Sequence, residues 1–346
     1  MEDQSNQPSP AGIMQIGSGF WASKVLLAAV KFQLFTKLAQ KSMSGLEIKQ
    51  MLGFKCTDIH VYDFLDALTG FGFLNREGLL DSAKYSNSIH TDTFLDSNKS
   101  AYIGGMLEML NNRLYRFWGN LEQGLLTGLP QNEIKEGDDN LFDEIYKTPE
   151  KLLGFINAMG SIQQGNFEVF AKNFDFSKYK TLVDIGGSGA VLSVKIAEFQ
   201  PHMKCTSFDL PVVEPIAKAK IAKTAFADRV MTANGDFFTD SFPKADVIVM
   251  GNILHDWDEP KKLMLLKKAY DALPEGGAFV AIENVIDNER IKNVFGLMMS
   301  LNMLIETGNG FDYTFDSFNK WTKSVGFKST SIISLTGPAS AAIAYK

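Results

Sequence analysis

Apolar residues recur at helical spacing over much of residues 19–40, where Val25, Leu26, Ala29, Phe32, Leu34, Phe35 and Leu38 fall on one side. Ser44 and Glu47 have capping-box spacing and predict a short helix ending at Gly53. Thr57 caps a third predicted helix, with Val61, Phe64, Leu65 and Leu68 on its buried face and Gly70 as its stop. Residues 71–88 read as two short strands around the turn Arg76-Glu77-Gly78. Three helices and a hairpin make a winged-helix pattern. An aromatic and Met-rich stretch, residues 102–129, continues the helical region, and Asp138-Asp139-Asn140 reads as a loop.

From Pro149 the pattern changes. One helix is predicted to about Asn173, and then strands and helices alternate. The strands are residues 181–185, 204–210, a segment near Val230, 245–254 and 278–285; the helices between them are 191–199, 213–224 and 260–273. Alternation of this kind implies a doubly wound α/β sheet whose ligands sit at the strand C-termini. Gly186, Asp209, Asp236, His255 and Glu283 all fall there. The expected organisation is a polar, disordered tail at residues 1–12, a helical winged-helix region at 13–148, and the α/β domain at 149–346.

Composition narrows the partners. A net charge of −6 argues against nucleic acid as the main partner, and the third helix of the winged-helix pattern carries Asp58, Asp63 and Asp66 without a Lys or Arg. Such a helix repels phosphate, so dimerisation or substrate covering is the expected role, with a ligand-sensing transcription factor as the rival. Two cysteines, Cys56 and Cys205, suggest neither a disulfide framework nor a cysteine-based zinc site, and the reducing cytoplasm is the expected compartment. Lys24 and Lys31 interrupt the best apolar run, residues 20–38, so no membrane span is expected.

The turn Gly186-Gly187-Ser188-Gly189 between strand and helix suits a ligand that approaches the backbone closely. An acid about twenty residues on, Asp209, is placed to accept hydrogen bonds from ribose hydroxyls. A dinucleotide fingerprint needs Gly or Ala three residues after its second glycine, where Leu192 stands. A mononucleoside-type ligand such as S-adenosylmethionine therefore fits better than NAD. His255, at the end of a central strand in NILHDWDEP, is placed to act as a general base. A metal held by His255, Asp256 and Asp258 is not expected, because neighbouring loop residues do not offer the necessary spread of directions.

The motifs LVDIGGSGA, FDLP, GDFF, NILHDWD, PEGGAFVAIE and SLNMLIETGNGFDYT occur in that order, and through them the chain resembles the S-adenosylmethionine-dependent small-molecule O-methyltransferases of the plant and acetylserotonin type. The resemblance implies a Rossmann-like class I methyltransferase domain behind a mostly helical, winged-helix dimerisation domain, and a homodimer acting on a small, aromatic hydroxyl acceptor. It further implies that Gly186 and Gly187 line the cofactor, Asp209 holds the ribose, and Asp236 with Phe237 brackets the adenine. His255 becomes the base, with Glu283 and Asp312 orienting its imidazole, and Met159 and Asn302 match acceptor contacts. Same-fold enzymes that methylate carbon or nitrogen, decarboxylate or hydroxylate are the alternative. The chain departs from the family at the GGSGA turn, which lacks a further glycine, and at Gly251, where Lys or Arg is common. It departs again at Glu306, which replaces a Gln, and at Asp312, which replaces a Glu.

Overall fold

The computed structural model describes residues 8–99, 101–134 and 141–346. Asp138, Asp139 and Asn140 lie outside the described residues. The chain divides into two compact units, 1–115 and 116–346.

The first unit contains α1 (Ala11–Gly17), α2 (Gly19–Lys31), α3 (Leu34–Leu38), β1 (Met43–Ser44), α4 (Gly45–Leu52), α5 (Asp58–Gly70), β2 (Leu74–Glu77), β3 (Lys84–Asn87), α6 (Ile89–Phe94) and α7 (Gly104–Met109). The capping box forms as expected: Ser44 Oγ accepts from Glu47 N, and Glu47 Oε2 accepts from Ser44 N. β2 and β3 pair antiparallel, with β1 on the far side of β3. The buried apolar residues of α2 to α5, among them Ala29, Leu34, Phe35, Ile48, Leu65 and Leu68, close with Tyr85 into one core.

Three expectations change here. The helix over residues 19–40 breaks at Gln33, whose left-handed φ of 55° interrupts the α-helix and starts α3. Helix α1 already begins at Ala11, so the end of the supposed tail is helical. The run from Ala11 to Lys31 is also long and apolar enough, by length and composition, to cross a membrane. Lys24 does not stand free within it: its Nζ donates to Asn111 Oδ1 at 2.6 Å and sits 4.7 Å from the Tyr115 ring centroid.

The second unit starts earlier than residue 149. The division falls within α8 (Tyr115–Phe117), and beyond it come α9 (Leu121–Thr127), α10 (Leu141–Ile145), α11 (Pro149–Asn173), β4 (Thr181–Ile185), α12 (Val191–Phe199), β5 (Lys204–Asp209), α13 (Glu214–Ile221), β6 (Val230–Asn234), β7 (Val247–Gly251), α14 (Glu259–Ala272), β8 (Ala278–Glu283), α15 (Val294–Thr307), α16 (Phe315–Val325), β9 (Ser329–Ser334) and β10 (Ser340–Tyr345). Residues 116–134 belong here because they are bonded to α15: Gln131 N donates to the Ile305 carbonyl at 2.8 Å and Asn132 Nδ2 to the Glu306 carbonyl at 2.8 Å. Helical periodicity runs on through both units, so the division leaves no mark in the sequence.

The sheet order is β6-β5-β4-β7-β8-β10-β9, parallel from β6 to β8, with β10 antiparallel to both neighbours. β7 and β8 are buried on both faces, as a parallel core demands. Apolar layers cover each side. One packs Phe170, Leu192 and Ile196 on the sheet, and the other packs Leu265, Phe318 and Trp321. This fixes β4, β5, β6, β7 and β8 in one orientation, so their C-terminal residues share an edge.

Candidate active site

The glycine turn follows β4 at that edge. Gly186 has a φ of +69°, and a Cβ there would lie 2.5 Å from Ile253 Cδ1. One on Gly187 would lie 2.2 Å from Ser207 Oγ and 3.0 Å from the Asp184 carbonyl oxygen, so both positions require glycine. Ser188 (φ 51°) and Ala190 (φ 59°) also adopt the left-handed region before α12 begins. This is how the turn closes without the further glycine.

Asp209, at the end of β5, fastens the turn. Its Oδ2 accepts from Ser188 N at 2.7 Å and its Oδ1 from Leu210 N at 2.7 Å. Burial pushes its carboxyl up, and these two backbone bonds push it partly back down. Asp236 follows β6 and accepts from Phe238 N at 2.8 Å. The half-buried Phe237 ring sits 4.7 Å from Phe238 and 6.1 Å from Trp257.

His255 lies on a 3-10 turn, Leu254–Asp256, directly after β7. Its ring is buried between carboxylates: Nδ1 is 3.4 Å from Asp312 Oδ1, and Nε2 is 3.6 Å from Asp256 Oδ1. Burial pulls the imidazole down, but Asp312, Asp256 and Glu283 outweigh it and raise it to about 10. Asp256 is itself pushed up to about 7, by burial first and by the charges of Glu283, Asp312 and Glu306, against the lowering effect of His255.

The resemblance implied that Glu283 orients the imidazole. Its Oε1 accepts the backbone N–H groups of Ile253 and His255, each at 3.1 Å, so it fixes the turn on which the ring is mounted. Asp312 does face the ring, and its own N–H donates to Ser300 Oγ of α15 at 3.1 Å. The loop carrying Asp312 packs tightly on the turn: a Cβ on Gly310 would lie 2.6 Å from the carbonyl oxygens of His255 and Asp256. Asp256 was read from sequence only as a poor metal ligand. Its place beside Nε2 depends on the direction of the 3-10 turn, which spacing does not reveal.

Asn302 of α15 is buried, and its Oδ1 accepts from Trp118 Nε1 at 2.9 Å, which leaves its amide nitrogen near Met299 Sδ. Met159 is half-buried on α11. It neighbours Gly160, which packs against Val191.

A family profile described as the O-methyltransferase domain matches residues 118–328, and one described as the O-methyltransferase dimerisation domain matches residues 14–97. The chain belongs to the O-methyltransferase family. It is 34% identical to the tetracenomycin polyketide synthesis 8-O-methyl transferase TcmO of Streptomyces glaucescens, over 100% of this chain and 99% of that protein. It is 29% identical to the N,N-dimethyltransferase OxyT of Streptomyces rimosus, over 91% and 90%. Human N-acetylserotonin methyltransferase, solved in complex with SAM, superposes with a TM-score of 0.89 at 26% identity over 99% of both chains. This family member is an S-adenosylmethionine-dependent O-methyltransferase.

The glycine turn fits that cofactor. Besides the space that a Cβ would fill, the buried hydroxyls of Ser188 and Ser207 have no hydrogen-bond partner among the described residues, a polar lining beside the turn.

Gly310→Ala tests the packing of the two loops. The added methyl would push the Asp312 loop off the His255 turn, and turnover is expected to fall at least about tenfold, since small misplacements at a reacting centre are costly. Steady-state kinetics on any methylated acceptor checks this, and an unchanged kcat refutes the dependence.

Proposed function

We propose that this enzyme transfers a methyl group from S-adenosylmethionine to a hydroxyl of a small, aromatic acceptor, with His255 as general base. The observation that carries the reading is a buried imidazole at the C-terminal edge of the sheet, set between the carboxylates of Asp312 and Asp256. When bound, the cofactor supplies an electrophilic methyl group on a sulfonium.

Gly186 and Gly187 offer backbone without side chains, Asp209 an acceptor for the ribose hydroxyls, and Asp236 with Phe237 a polar and an aromatic contact for the adenine. Glu283 holds the turn. Asp312 keeps the proton of His255 on Nδ1, so that Nε2 faces the acceptor. The choice of nitrogen follows from access, because the Asp312 side chain is 1% exposed and the Asp256 side chain, on the Nε2 side, is 13% exposed. His255 takes the hydroxyl proton at Nε2, and the carboxylates stabilise the imidazolium that forms. Met159 and Asn302 contact the acceptor in this reading. A nitrogen acceptor is the second reading, motivated by the likeness to OxyT. Incubation with labelled S-adenosylmethionine and a panel of phenols and amines, followed by mass analysis, separates the two.

The dimerisation domain is proposed to join two copies of this chain in the cytoplasm. Ile13, Met14, Ile16, Phe20 and Trp21 of α1 and α2 are exposed, an apolar surface that suits a second copy better than water. Light scattering at micromolar concentration is expected to give twice the chain mass, and a monomer refutes it.

Asp209→Ala is expected to weaken cofactor binding by about 1.5–3 kcal/mol, the order of a hydrogen bond to a charged group. Because Asp209 also fastens Ser188, the loss includes some loosening of the turn. Titration calorimetry with S-adenosylhomocysteine decides, and undiminished affinity rules out the ribose role.

His255→Ala is expected to lower turnover by at least about 10²-fold while leaving cofactor affinity nearly unchanged. The base must be neutral to act and its value is raised to about 10, so activity should climb with pH well above the usual histidine midpoint. Near-wild-type turnover of the mutant, with the same pH profile, would make His255 a structural residue.

A further inference from the structure

Lys262 is fully buried on α14, an uncommon position for a lysine. Its Nζ donates to the carbonyl of Trp257, two residues beyond His255. The same ammonium lies 3.5 Å from the centroid of the Phe311 ring, next to Asp312, with Tyr313 at 5.9 Å and Trp321 at 6.0 Å. One cation therefore touches both loops that bring His255 and Asp312 together.

We propose that Lys262 is a positioning residue for methyl transfer: its buried ammonium ties the His255 turn to the Asp312 loop and favours the ionised form of the surrounding carboxylates. This rests on the reading of His255 as the base. The titratable groups facing Lys262 are Asp256 from the 3-10 turn, Asp258 at the start of α14, Glu283 from β8, and Asp312 with Tyr313 from the loop before α16; Asp256, Glu283 and Asp312 also act on His255. Of these acids Glu283 and Asp312 are buried and Asp256 is half-buried, and beside Lys262 it is His255 that offers them a positive charge. With Lys262 three acids face two cations, and without it they face one, an added buried negative charge that proton uptake would relieve. The proton would weaken the carboxylates that stabilise the imidazolium.

The side chain shows the same coupling. Burial lowers the lysine to about 8, against the raising effect of Glu283, Asp312, Asp256 and Asp258. In the wild type a group depressed on folding adds stability as pH rises above its folded value. In Lys262→Met that gain disappears, and Asp256, already at about 7 beside the cation, moves higher, so stability is lost as pH climbs through its raised value. Both effects widen the gap between mutant and wild type in one direction, from about pH 7 to about pH 9.

The test compares melting curves of the full chain saturated with S-adenosylhomocysteine. Between pH 7 and pH 9 the Tm of Lys262→Met should fall relative to wild type by about 3 °C or more. Lys262→Arg, which keeps the charge beside Asp256 but cannot lose a proton in this window, should show a smaller gap than Lys262→Met. Parallel curves for Lys262→Met and wild type overturn the proposal, because they would show that no charge at Lys262 is coupled to the buried carboxylates. On a phenol that the enzyme methylates, Lys262→Met should lower kcat at least about tenfold with the KM for S-adenosylmethionine little changed; an unchanged kcat also overturns it. Should Lys262→Met fail to fold, lysine-selective 15N NMR of the wild type takes its place: a protonated Nζ at pH 7 supports the proposal and a neutral amine overturns it. Failure of the base reading looks different. His255→Gln would then retain turnover while the pH-dependent gap in Tm at Lys262 persisted.

Discussion

Charge taken out of water must be answered by other charge or by hydrogen bonds, and the active end of this sheet is built around that constraint. Asp256, Glu283 and Asp312 come together in a space from which solvent is largely excluded, with His255 and Lys262 as the opposing cations. Each acid answers the constraint differently. Glu283 spends one oxygen on two backbone N–H groups, Asp312 faces Nδ1 of the ring, and Asp256 faces Nε2. Packing alone would not hold such a group, because each carboxylate prefers water to apolar walls. The tie between Lys262, the Trp257 carbonyl and the Phe311 ring draws the two loops to the same centre that the charges require.

The cofactor end solves a different problem with similar means. Asp184 and Asp209 lie close behind the glycine turn, and burial and their mutual repulsion push Asp184 well above the ordinary range. Oriented backbone N–H groups answer here instead of a lysine. The Ser188 and Leu210 amides converge on Asp209, and α12 presents its N-terminal end to the turn. Gly251, where the resemblance to the family implied a Lys or Arg, packs against the Phe167 ring: a Cβ there would meet Cε1 at 3.3 Å. A side chain at this position would require the Phe167 ring to give way by a few tenths of an ångström.

Much of this was legible from periodicity. Strands buried on both faces read as continuous apolar runs, so β4, β7 and β8 and the residues at their ends were found. Pro149 and Asn173 bounded α11 correctly. What was not legible depended on direction or on a break without a marker. Gln33 is neither glycine nor proline, yet it ends α2 by adopting a left-handed φ. Glu283 was placed at the right strand end, but its bonds to the Ile253 and His255 amides were not foreseen, since spacing does not say whether a carboxylate meets a ring or the backbone beneath it. Lys262 stands in EPKKL, which reads as a solvated helix face, and only the three-dimensional fold shows which of the two lysines turns inward.

The raised imidazole bears on why a base is worth building from so many acids. A free histidine near 6.5 is a weak partner for a phenol near 10, and moving the proton between them is uphill by about 3.5 pH units, or about 5 kcal/mol. Asp312, Asp256 and Glu283 bring the ring to about 10, so proton transfer from a phenol in the proposed reaction becomes nearly balanced. The same stabilisation keeps more of the resting enzyme protonated at neutral pH, where an imidazolium cannot accept a proton. Asp256 lies on that trade. It sits beside Nε2, its value is about 7, and the nearby charge of Glu306 helps to raise it. As Asp256 takes a proton, its pull on the ring weakens and the imidazole becomes easier to deprotonate. Glu306, where the resemblance to the family implied a Gln, therefore bears on the proposed base through Asp256.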